Sequence, residues 1–192
     1  MNHFAHLYLA RPTVESRVGN LLGDFARGVD SNRLPEPVRA GLEHHRAVDA
    51  FTDSHPEVLA SKALFSNRRR RFAGIALDIL FDHYLLRHWH HFGQGDRTRY
   101  IHDLYRDLEQ GSTLMPAGMV SVTRRMVAHD WFHAYQDLDS VGAAMDRVAG
   151  RIRFPNEFAG VMEEIRLLDA ELEERFLAFF PELVQFSQSR AE

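Results

Sequence analysis

Apolar positions recur at steps of three and four along most of this chain, and period-two alternation is absent. The clearest stripe lies late in the sequence: Phe158, Val161, Met162, Ile165, Leu168, Leu172 and Phe176, with Glu163, Glu164, Arg166, Glu171 and Glu174 on the other face. It predicts a helix whose start is marked by Pro155 and Asn156 and which Pro181 kinks or ends. The same reading predicts helices over 2–10, 13–28, 35–53, 57–71, 73–91, 97–109, 117–136 and 138–150. Thr13 opens the second and Gly28 closes it; Pro35 and Pro37 sit in the first turn of the third; His55-Pro56 breaks it from the fourth. No repeat or low-complexity linker interrupts the pattern. The expected architecture is all-α, a single-domain helical bundle over residues 1–192.

One segment departs from the apolar logic. LDILFDHYL, residues 77–85, reads as a buried helix, yet Asp78 and Asp82 interrupt it and His83 follows. A carboxylate without a partner is costly to bury. The two aspartates are four residues apart, about 40° around a helix and about 6 Å along it, so they share a face. In HHRAVDAFTDSHP, residues 44–56, His45, Asp49 and Asp53 also step by four. Two such stripes facing each other would surround a cation. Asp24, among Leu21, Leu22 and Phe25, and His3 and His6 near the start extend the inventory. Imidazoles and carboxylates without sulfur suit Mn²⁺, Mg²⁺, Fe²⁺ or Zn²⁺, and the carboxylate excess favours the harder Mn²⁺ or Mg²⁺. Hydrolysis of a phosphate ester is the chemistry that needs such a set, with Arg46 placed to clamp a phosphate oxygen.

Composition narrows the classes. Cysteine is absent, which excludes disulfides, thiolate zinc sites and a cysteine nucleophile. A net charge of −4 argues against nucleic acid as partner. No run approaches the roughly 18 apolar residues of a membrane span, and no signal peptide is visible, so a cytoplasmic location is expected. Glu-x-x-His pairs are absent, which disfavours a di-iron bundle. Histidine is the outlier, at 12 residues.

Bland readings compete at each position. Aspartates four apart are often a solvated face. His3 reads as a polar helix edge, His44 as surface, and His88, His90 and His91 as a helix end. His129-Asp130 is read as a helix end before Trp131, because adjacent side chains diverge by about 100°. The block Arg68, Arg69, Arg70 and Arg71 is a basic patch on an acidic protein and suggests an acidic partner.

Four blocks, MNHFAHLYLA, GNLLGDFARG, HRAVDAFTDSHP and LDILFDHYLLRHW, occur in the order found in the acyl carrier protein phosphodiesterase family, which the chain resembles over nearly its whole length. The resemblance implies an all-helical enzyme, divergent from the HD phosphohydrolases. It implies a divalent metal, typically Mn²⁺, and hydrolysis of the 4′-phosphopantetheine–serine diester of holo acyl carrier protein. The family's positions fall on His6, Asn20, Asp24, His45, Arg46, Asp49, Asp53, Asp78, Asp82 and His83. The expected metal ligands are Asp24 and Asp78, then His45, Asp82 and Asp49. His83 or Asp53 is expected to orient or deprotonate water. The order Asp82-His83 reverses the His-Asp of the HD class, so that class's ligand set does not transfer. The carrier is small and acidic, which gives Arg68–Arg71 a docking role. A nucleotide or small-molecule phosphohydrolase, and a non-catalytic metal-holding module, remain the alternatives.

Overall fold

The computed structural model describes residues 1–154 and 156–190, and every regular element among them is helical. In chain order these are α1 (His3–Leu9), α2 (Val14–Leu22), α3 (Glu36–Ser54), α4 (Pro56–Leu64), α5 (Ala73–Arg87), α6 (Trp89–Phe92), α7 (Arg97–Gln110), α8 (Ala117–Ala128), α9 (Trp131–Ala134), α10 (Leu138–Ala149) and α11 (Met162–Ser189). Short 3₁₀ turns fill several of the joints. The all-α expectation holds.

Helix α5 runs through the middle of the molecule. Ile79 to Leu86 are all buried, as the near-continuous apolar run implies. Helix α1 packs on α2 and α5. Helix α11 lays Phe176, Phe179 and Phe180 against Phe81, Tyr84 and Phe92, closing the opposite side. The tightest crossing is α2 on α3. A Cβ on Gly19 would come within 2.2 Å of the Val38 carbonyl oxygen, so only glycine permits this approach. That contact sets the site, because it brings His45 and Asp49 of α3 alongside the end of α2 and the turn carrying Asp24.

Several boundaries differ from expectation, each for a local reason. The second helix ends at Leu22 and turns into a 3₁₀ segment, Gly23–Phe25, which carries Asp24. The fourth ends at Leu64, short of the arginine block, where the Ser66 carbonyl accepts from the amides of Arg69 and Arg70 and starts a new turn. The 117–136 helix divides at Asp130, which adopts a left-handed conformation at φ 46°. There Asp130 accepts from the Tyr105 hydroxyl at 2.9 Å and pairs with His133 at 2.7 Å, so the His129-Asp130 pair is the helix end anticipated. The last helix starts at Met162 instead of beside Asn156, while Pro155 lies outside the described residues. Pro181 neither ends nor interrupts it. Buried Phe176, Phe179, Phe180 and Leu183 on both sides hold the register against the lost amide.

Candidate metal centre

Helix α1 places His6 against His45 of α3, their rings stacked with centroids 3.8 Å apart. Asp49, one turn beyond His45, takes both. Its Oδ1 is 3.1 Å from His6 Nε2 and its Oδ2 is 3.0 Å from His45 Nε2. The His6 contact is close but out of line for a hydrogen bond. Both His6 nitrogens and His45 Nδ1 are buried without a hydrogen-bond partner among the described residues. His6, His45 and Asp49 each offer one ligand atom, all within 4.8 Å of one another. Orphaned imidazole nitrogens converging on a carboxylate fit a divalent ion, which would use the lone pairs the fold leaves idle. Burial, reinforced by the His45 ring, lowers the His6 pKa to about 4, so the ring is neutral near pH 7 as a ligand must be. Burial alone would raise Asp49, but its contacts with His45, His6 and the Met1 ammonium hold it far below the ordinary carboxylate range.

Two more carboxylates flank this core. Asp78 of α5 lies 3.0 Å from the Met1 α-ammonium, which also sits 3.2 Å from Asp49. Burial and the neighbouring carboxylates Asp49 and Asp53 raise Asp78 above its usual value, against the pull of that ammonium. Asp24 accepts from His3 Nδ1 at 2.8 Å. Burial disfavours protonation of His3, but the Asp24 bond and charge outweigh it and raise the ring's pKa. One carboxylate from each stripe, Asp49 of α3 and Asp78 of α5, contacts the Met1 ammonium.

Other expected site residues are placed elsewhere. Asp82 is fully buried, and its two oxygens accept from the amides of Phe4 at 3.0 Å and Ala5 at 2.9 Å. It caps the first turn of α1 from across the bundle, since Asn2 makes no side-chain cap. His83 turns the other way and donates from Nδ1 to the Tyr135 carbonyl at 2.8 Å. Asp53 is exposed and pairs with Lys62 at 2.8 Å. Arg46 is exposed, as a residue about 100° around the helix from buried His45. Asn20 bonds the Ser16 carbonyl and accepts from His44 Nδ1 at 2.7 Å. His44, expected on the surface, is half-buried and ties α2 and α3 to Ser187 of α11 at 2.9 Å. No periodicity signal marks it, because its partners come from two distant segments.

Of the arginine block only Arg69 is buried; Arg68, Arg70 and Arg71 stay exposed. Arg69 donates to the carbonyls of Glu157 and Ala159. Arg70 donates to those of Ala63 and Phe65, Arg68 pairs with Glu157, and Arg71 stacks over Phe72.

Gly23 deserves its place for a steric reason. A Cβ there would lie 2.1 Å from His45 Cδ2, inside the imidazole. Its backbone is right-handed helical, so alanine meets only the clash. Gly23→Ala is expected to displace His45 and weaken Mn²⁺ binding about tenfold or more in a calorimetric titration. Unchanged affinity would show that His45 holds no ion.

Comparison with known proteins supplies a family. The model of the family described as acyl carrier protein phosphodiesterase matches residues 1–183. A protein of that name from Escherichia coli O45:K1 is 31% identical over 194 residues, covering 100% of both chains. One from Serratia proteamaculans is 31% identical over 191 residues, 99% of each chain, and one from Photorhabdus laumondii is 30% identical, over 99% of this chain and 96% of its own. No solved structure matches. The full-length match and the four blocks that build this centre agree: the chain belongs to the acyl carrier protein phosphodiesterase family.

Proposed function

We propose that the protein is a metal-dependent phosphodiesterase that hydrolyses the 4′-phosphopantetheine–serine diester of holo acyl carrier protein, giving apo carrier and 4′-phosphopantetheine. The carrying observation is the convergence of His6, His45 and Asp49, with idle buried nitrogens, in a chain of this family. A bound divalent ion, Mn²⁺ first and Mg²⁺, Fe²⁺ or Zn²⁺ as alternatives, would neutralise phosphoryl charge and lower the pKa of a water.

The chain's own residues do the remaining work. His6, His45 and Asp49 would hold the ion, and Asp78 and Asp24 would border it. His3 is the proton carrier. Asp24 fixes its ring through Nδ1, leaving Nε2 for a proton going to the serine oxygen as the diester breaks. His83 and Asp53, expected to orient or deprotonate the water, are bonded to the Tyr135 carbonyl and to Lys62. Among the described residues no helix is long and apolar enough to cross a membrane. A cytoplasmic place in the turnover of the fatty-acid carrier's prosthetic group accords with the cysteine-free composition.

The test is the intact mass of holo carrier incubated with the protein and Mn²⁺, beside a sample with EDTA. Loss of the phosphopantetheine arm only when metal is present is expected. A carrier that keeps its arm at high enzyme would favour a nucleotide phosphohydrolase or a metal-holding module.

A further inference from the structure

A cavity of about 530 Å³ opens at His3, the residue bonded to Asp24. His3 and Asn2 line it, as does Ile79, the residue after Asp78. The rest of its lining comes from α8, α9 and α10 and from the residues that follow each of them. Its size falls in the range of sites for small ligands, about 300–1,000 Å³. The surface is of two kinds. Ile79, Tyr135, Ala143 and Ala144 make an apolar and aromatic stretch, whereas Arg125, Arg147 and Arg151 supply guanidiniums. None of these three arginines has a carboxylate within 4.0 Å among the described residues. Arg147 lies in the last turn of α10 and Arg151 in the turn that follows it. In a chain of net charge −4, three unpaired arginines at one cleft make a local positive field.

Resting on the function proposed above, we infer that this cleft receives the pantetheine arm of the carrier. The phosphodiester lies at the His3 end, beside the metal centre. The arm's dimethyl and amide groups run over Ile79, Tyr135 and Ala143. The three arginines attract carboxylates on the carrier surface around the modified serine. They take on this side of the molecule the docking role that the sequence suggested for Arg68–Arg71, of which Arg69 is buried. A generic diesterase needs only the metal centre. The cleft is what selects a diester with a long arm on an anionic protein.

Ala143→Trp tests this directly. Ala143 is exposed on α10 and lines the cavity, so an indole there fills the cleft without entering the core. The expected result is at least about a tenfold fall in kcat/KM for holo carrier, with Mn²⁺ affinity and thermal midpoint unchanged. An Arg147→Glu/Arg151→Glu double variant, changed only at exposed positions, should raise KM by about tenfold or more at low salt and keep kcat. Wild-type kinetics in both variants would overturn the inference. Failure of the functional reading looks different: wild-type protein would leave the carrier intact. Calorimetric titration with 4′-phosphopantetheine then decides the cleft alone. Binding to wild type and not to Ala143→Trp supports it, and equal binding, or none to wild type, overturns it.

Discussion

Asp49→Ala is expected to lower turnover of holo carrier at least about 10³-fold, a loss of about 4 kcal/mol in transition-state stabilisation. Asp49 is the group both imidazoles reach, so its removal leaves His6 and His45 with nothing to share an ion with. Mn²⁺ binding followed by calorimetry should fall in parallel. Asp53→Ala is the matched control. It lies one turn on along the same helix but is exposed and bonded to Lys62, and it should stay within about threefold of wild type. An Asp49→Ala protein that melts like wild type and strips carrier within tenfold of its rate would remove this centre from the mechanism.

Asp82→Ala should act on stability instead. Two amides at the start of α1 lose their only acceptor inside the core, at a cost of about 2–5 kcal/mol. For a chain of this size the thermal midpoint should drop by about 5–15 °C. Asp82→Asn keeps one acceptor and should lose less. The carboxyl also couples folding to pH. Burial pushes its pKa up to about 7, in spite of the two amides that favour the charged form. An unfolded aspartate titrates near about 3.9, so between these values the native chain binds the extra proton, and stability falls as pH rises. The margin of wild type over Asp82→Asn should therefore shrink from pH 4 to pH 7. A margin that is flat or grows across that window would show that the amides, not burial, dominate this group.

Helix by helix, much of this was legible in the residues. The apolar run of α5 announced a buried helix, and the spacing of Asp78 and Asp82 put both on one face. Both aspartates are indeed answered by the N-terminal segment, Asp78 by the Met1 ammonium and Asp82 by the amides of Phe4 and Ala5. The stripe of His45 and Asp49 was visible by the same periodicity. What periodicity cannot supply is the identity of the atoms opposite. Asp78 and Asp82 look equivalent in sequence, yet one meets a cation and the other caps a helix. Arg46 sits beside His45 in the chain and points about 100° away from it, and His83, beside Asp82, bonds the Tyr135 carbonyl instead. Arg69 reads as one of four solvent-facing charges, but carbonyls of a loop almost 90 residues away capture it.

By itself the sequence determined the helical class, the donors available, the absence of thiol chemistry and the resemblance that names the family. These depend on residue type and on spacing within one helix, which chain geometry alone converts into a face. Only the tertiary structure decided that His6, His45 and Asp49 converge while Asp82, His83 and Asp53 do not. That outcome depends on how closely α2 and α3 approach at Gly19 and on where α1 lands against α5. Packing sets both, over separations that no local pattern encodes.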